Sequence, residues 1–310
     1  VAAGNNPAFN NPAFQEQGAG RAYPTSGQPG FGAQTQYAST QAAATDAAVN
    51  AQLEGAYAAP SAGAIETGRM TVEDTVIKTI GLFAILLATA AVGWIWSMAT
   101  VDPAVPTSMP SMAPWLIGAL GGFVLAMVVI FTSRKKIRPA LIWAYAAFEG
   151  LFVGAISAFF EFIWEGIVLQ ASLATLAVVG VTLALFASGK VRASKKATKV
   201  FMVAMIGYLV FSLVNVIMMM FGAFSGPDSG GPFGLYSQPV FGIPLGLIIG
   251  ILVVIMAAYS LVLDFDSIQQ GVRNGAPRQY AWLGAFGIMV TVVWLYVEIL
   301  RILAILRGSN

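Results

Sequence analysis

The residues of this sequence best placed to do chemistry are acids embedded in apolar stretches. Asp264 and Asp266 close a run of some twenty mostly apolar residues in LVLDFDSIQQG, Glu149 sits in YAAFEGLFVGAIS, and Glu298 precedes Arg301 in WLYVEILRILAILR. Ionisable groups inside membrane segments are costly and rare, so each is a functional candidate by default. Buried carboxylates can store and release a proton, offer hard oxygen ligands to a cation such as calcium, or line a cation path. The sequence contains no Cys and no His. That excludes disulfides, thiolate nucleophiles, Cys/His zinc sites and Ser-His or Cys-His catalytic pairs. Proton chemistry near neutral pH then falls to carboxylates or lysines.

Spacing sorts these groups. Asp264 and Asp266 are two residues apart, about 200° around a helix, so they cannot point into one site. Asp264, deeper in the span, is the inward-facing candidate. Asp266 is read as an interfacial, solvated acid near Arg273 or Arg278. Glu298 and Arg301 share a helical face one turn apart. They form an internal ion pair, or Arg301 snorkels outward and leaves Glu298 for another helix. Glu149 is either a functional acid or a protonated packing group beside Gly150 and Gly154, a small-xxx-small pair suited to close helix contact. Asn215 adds a polar group in the fifth span.

The elements that position these groups are membrane spans. Hydrophobic residues make up 57% of the chain and charged ones only 10%, against about 25% charged in soluble domains. Seven runs approach or exceed the ~20 residues a span needs. They cover Val76 to Met98, Trp115 to Thr132, Pro139 to Ile163, Ile167 to Ser188, Lys199 to Phe221, Val240 to about Ile268, and a stretch between Tyr280 and Leu306. Thr71, with Glu73 and Asp74 behind it, reads as the N-cap of the first. Lys and Arg concentrate in alternate loops: SRKKIRP, GKVRASKKATK, and the Arg273 and Arg278 loop. The positive-inside rule then puts the N-terminus in the cytoplasm and the C-terminus outside. Residues 1–68, rich in Ala, Gly, Gln, Asn and Pro with the tandem NPAFNNPAF, read as a disordered cytoplasmic tail. Residues 69–310 form the transmembrane domain, an all-α seven-helix bundle.

YAAFEGLFVGAIS in the third span, YSLVLDFDSIQ closing the sixth and WLYVEILRILAILR in the seventh resemble the Bax inhibitor-1 (YccA-like) family, within the transmembrane Bax-inhibitor-motif superfamily. The resemblance covers Thr71 to Arg307, and the polar tail resembles the actinobacterial branch. It implies a bacterial plasma-membrane protein with a central seventh helix, acting as a pH-sensitive calcium leak without an enzymatic cofactor. It further implies that a sensor acid from the sixth span, Asp264, pairs with one from the seventh, Glu298, where the family pattern has Asp after Tyr-x. Both are then candidate calcium ligands, with Glu149, Arg301, Asp266 and Asn215 in support. The stretch between the two acids is longer than in compact bacterial members. The pair meets only if the part from Pro277 to about Gly287 lies in the interface or slants sharply. A different class implied by the resemblance is an interaction protein that modulates a membrane-bound AAA protease or a stress response, with the tail as its handle. Nothing in the sequence points to nucleic acid. An intramembrane aspartyl protease is disfavoured because the Gly-x-Gly-Asp context is absent before Asp264. No internal repeat of the transporter kind is visible.

Overall fold

The structure, a computed structural model, describes residues 68–105, 107–222 and 233–308; the tail expected to be disordered lies outside them. Seven helices follow in order: α1 (Val72–Met98), α2 (Ala113–Ser133), α3 (Pro139–Ile163), α4 (Ile167–Ala187), α5 (Lys195–Met220), α6 (Leu245–Arg273) and α7 (Ala281–Gly308). All seven are long and apolar enough to cross a bilayer. The chain is an all-α, multi-pass membrane protein. The basic loops, α2–α3, α4–α5 and α6–α7, gather at one end of the bundle, called here the basic end; the opposite end is the far end.

Local chemistry sets the helix starts. The Thr71 hydroxyl accepts the Asp74 amide at 3.0 Å, with Glu73 and Asp74 in the first turn, where acids complement the helix dipole. Ser194 caps α5 through the Ala197 amide, and prolines open α2 and α3, where a missing N–H costs nothing. The sixth helix starts later and ends later than its apolar run. Pro239–Val240 and Ile243–Pro244 pair as a small hairpin, turned by Phe241 (φ 53°) and Gly242 (φ 79°), so the helix begins only at Leu245. At its other end α6 continues through Gln269 and Gln270 to Arg273. It stops at Gly275, whose φ of 64° ends the helix, just before Pro277.

α7 is the axis of the bundle. Sixteen of its 28 residues are buried, and it packs against α1, α3, α4 and α6. On the α1–α3 side, backbones touch. A Cβ on Gly93 would strike the Leu151 carbonyl, one on Gly150 the Leu86 carbonyl and Thr89 hydroxyl, and one on Gly154 the Ala90 carbonyl. Close contact through small residues is how helices associate in lipid, where apolar surface alone supplies little drive. At the basic end, residues 68–70 lie along the α6–α7 loop. The Met70 amide donates to the Ala276 carbonyl and the Arg278 amide to the Gly68 carbonyl, both at 2.8 Å, and Asp74 pairs with Lys78 and with Arg278.

α5 is different. Only three of its 26 residues, Thr198, Phe201 and Asn215, are buried, and most of its Val, Leu, Ile and Met side chains face outward. It is attached through Phe201, packed on Met256 and Leu263 of α6, and through polar contacts: Thr198 to the Tyr259 hydroxyl at 3.0 Å, Ser212 to the Tyr236 hydroxyl at 2.8 Å, and Asn215 Oδ1 to the Leu235 amide at 2.7 Å.

Candidate functional site

Asp264 is fully buried, at 0% exposure, toward the basic end of α6. The Thr291 hydroxyl of α7 donates to its Oδ2 at 2.7 Å, and Ser260, one turn back on α6, lies 3.4 Å from the same Thr291 hydroxyl. Ser260 and Asp264 are four residues apart, so they share the face of α6 that meets α7. The result is a small oxygen-rich patch between the two helices, holding one acid and two hydroxyls.

Glu298 is also buried, at 4% exposure, but in a second cluster. Arg301, one turn on, sits 2.5 Å from its carboxylate. The Tyr208 hydroxyl of α5 donates to Glu298, as does the Trp294 side chain. Arg301 also donates to the Tyr208 hydroxyl at 3.4 Å and stacks over the Tyr236 ring at 4.0 Å. Of the two arrangements open to Glu298 and Arg301, the internal ion pair is the one formed.

The two acids do not meet. A Cβ on Gly250 would touch Ile302, one on Gly246 Ile305 and one on Gly284 Ile268. That antiparallel register places Glu298 level with about Val253, roughly 15 Å along the helix from Asp264. The expected pairing required the chain from Pro277 to Gly287 to lie in the interface or slant sharply. Instead α7 begins at Ala281, and Ala281, Leu283, Gly284, Ala285, Phe286 and Gly287 are all buried within the bundle. Glu298 is therefore about 26 Å along the helix from its start, a little past the middle toward the far end. The α7 residue opposite Asp264 is Thr291.

The remaining candidates disperse. Asp266 turns to another side of α6 and accepts from Gln270 at 2.7 Å. Arg278, one of its two expected neighbours, pairs with Asp74. Glu149, half-buried on α3, lies against Gly122 of α2 and is hydrogen-bonded by Tyr145 one turn earlier. Asn215 holds the turn Gly234–Ser237 to α5. Among the described residues no group of three or more acidic side chains is placed to hold a metal ion. Thr291 and Tyr208 are the functional candidates that sequence reasoning missed. Thr291 carries no charge to betray it. Tyr208 does have a signal: Thr198, Phe201, Met205, Tyr208, Ser212 and Asn215 recur at intervals of three and four, a single stripe with four polar members on an otherwise apolar helix.

A seven-helix membrane bundle with a buried axial helix, and a buried acid on each of its last two helices, defines an integral membrane protein with titratable groups in its core. A family model described as Bax inhibitor 1 like matches residues 6–308, and the chain belongs to that family. The match reaches well beyond the Thr71–Arg307 stretch that carries the motifs, into the polar tail. No curated protein matches the chain.

Proposed function

We propose that this protein is a pH-sensitive cation leak of the bacterial plasma membrane, with its basic end in the cytoplasm and calcium as the permeant ion that the family resemblance implies. One observation carries the reading: a carboxylate with no exposure to solvent, Asp264, lies between helices six and seven, where the Thr291 hydroxyl donates to it and Ser260 lies beside that hydroxyl. A charge so placed is costly without a counterion, so its protonation state and the presence of a cation are coupled. Protonated, Asp264 is a neutral hydrogen-bonding partner that ties α6 to α7 through Thr291 and Ser260. Deprotonated, it offers carboxylate oxygen beside two hydroxyl oxygens, ligands that suit a hard cation, and three such groups bind weakly enough to let the ion pass on. The sensing role falls on Asp264 alone. Glu298 is neutralised by Arg301.

The test is calcium flux into proteoliposomes scanned from pH 6 to 8 for wild type and Asp264→Asn. A pH-dependent wild-type flux that loses its pH dependence in the variant supports the reading. Absence of wild-type flux at every pH, with folding established separately, would overturn it in favour of an interaction protein.

A further inference from the structure

We propose that α5 is a side gate, bolted to α7 by Tyr208, Glu298 and Arg301, and that it swings away from α7 when the bolt is undone. The gate's effect on flux rests on the cation-leak reading above; its motion does not.

Three observations carry this. The first is how α5 is held. Helices α1 and α3 touch backbone to backbone at Gly93, Gly150 and Gly154 and cannot part without leaving a void. α5 instead meets the bundle along one narrow stripe, with three buried residues. Its apolar contacts are few, chiefly Phe201 on Met256 and Leu263 of α6 and Phe211 on the Tyr236 ring, so hydrogen bonds carry a large share of its attachment.

The second is the arrangement of those bonds. Thr198 anchors the basic end of α5 to Tyr259 of α6. Ser212 and Asn215 anchor the far end to the loop ahead of α6, at Tyr236 and Leu235. Between them Tyr208 bonds α5 to α7, and that bond ends on a charge. Its hydroxyl meets both Glu298 and Arg301, and Arg301 in turn covers Tyr236, so the central bond and a far-end bond share one cluster. Loss of Tyr208 therefore loosens two of the attachments together. Hydrogen bonds to charged groups are roughly twice as strong as neutral ones, which makes this the bond that sets whether α5 stays.

The third is what lies behind the helix. A cavity of about 490 Å³ adjoins the bolt, walled by Trp115 of α2, Phe160 of α3, Asn215 of α5, Tyr236 of the loop, and Val297 and Arg301 of α7. α5 supplies one wall, so its departure opens the cavity sideways and uncovers the Glu298–Arg301 pair.

The absence of cysteine allows a direct test by pulsed electron–electron resonance between spin labels in lipid. One pair spans the gate, Ile95→Cys on α1 with Val216→Cys on α5, both outward-facing positions. A reference pair, Ile95→Cys with Leu120→Cys, spans α1 and α2. In the gate pair, Tyr208→Phe, which removes only the hydroxyl, should raise the long-distance population several-fold and lengthen it by about half a helix diameter, ~5 Å. The reference pair should be unchanged. Glu298→Gln undoes the bolt from α7 without touching α5 and should act in the same direction. An unchanged gate distance in both variants, or equal lengthening of the reference pair, would overturn the proposal. Calcium flux measured on the same samples separates the two readings. Lengthening with raised flux supports both, and lengthening without flux supports the gate while counting against the leak.

Discussion

Across the α6–α7 interface, the Thr291 hydroxyl donates to the Asp264 carboxylate at 2.7 Å, in a spot where Asp264 has no solvent exposure. Removing a donor from a buried acceptor costs about 1–3 kcal/mol. Thr291→Val keeps the shape and removes the hydroxyl, so it should lower stability by that amount. Thr291→Ser keeps the hydroxyl and should recover most of it. Thermal unfolding in detergent, compared with wild type, checks both.

Glu298 and Arg301 form a buried ion pair on one helix face. Breaking such a pair from one side leaves an uncompensated charge and costs about 3–5 kcal/mol, whereas replacing both partners by apolar or neutral groups is often close to neutral. Glu298→Gln and Arg301→Met should each destabilise strongly, and the double variant should lose less than either single one. A thermal double-mutant cycle measures the coupling. An additive result would show that the pair makes no joint contribution.

The α1–α3 contact depends on the absence of side chains. A Cβ at Gly154 would overlap the Ala90 carbonyl oxygen, a backbone atom that cannot rotate aside, while a Cβ at Gly180 on α4 meets nothing within 4 Å. Gly154→Ala should therefore cost about 1–3 kcal/mol or more through forced separation of the helices. Gly180→Ala should be neutral or stabilising by up to about 1 kcal/mol. Unfolding of the two variants side by side in denaturing detergent is the comparison to make.

The hairpin at the far end carries a different kind of strain. Phe241 adopts φ 53° and is 98% exposed, in a two-residue turn where, among residues other than glycine, Asn tolerates positive φ best. Phe241→Asn should stabilise the fold by a few tenths of a kcal/mol to about 1 kcal/mol. An unfolding midpoint below that of wild type would show that the exposed ring makes a contact worth more than the relieved backbone.

The spans were legible in the sequence because each is a long apolar run, and the caps at Thr71 and the start at Pro139 were legible because their residue types force them. The end of α6 was not, since the helix continues five residues past Ile268 through Gln269 and Gln270 to Arg273, where hydropathy no longer marks it. The isolation of Asp264 from Glu298 was not legible either. The partner of a buried acid depends on the register between two helices, which glycine contacts such as Gly250 on Ile302 and Gly284 against Ile268 determine. No residue type announces that register. Motif matching placed Glu298 by its Tyr-x-acid context; packing placed Thr291 in front of Asp264.

That substitution of a hydroxyl for an acid leads to the most direct test of the proposed sensing role. An acid at position 291 would face Asp264 at hydrogen-bond distance in a low-dielectric site. Two carboxyls so close cannot both ionise cheaply, and their protons leave in two steps that belong to the pair. If Asp264 controls the flux, Thr291→Asp should spread the pH dependence over a wider range than in wild type, and Asp264→Asn in the same background should narrow it again to a single step. Calcium flux in proteoliposomes from pH 6 to 8 reads both. A Thr291→Asp profile that overlays wild type would mean that the protonation of Asp264 does not govern passage, and the pH response would have to be sought at another acid, with Glu149 next in line because it faces Gly122 away from both clusters.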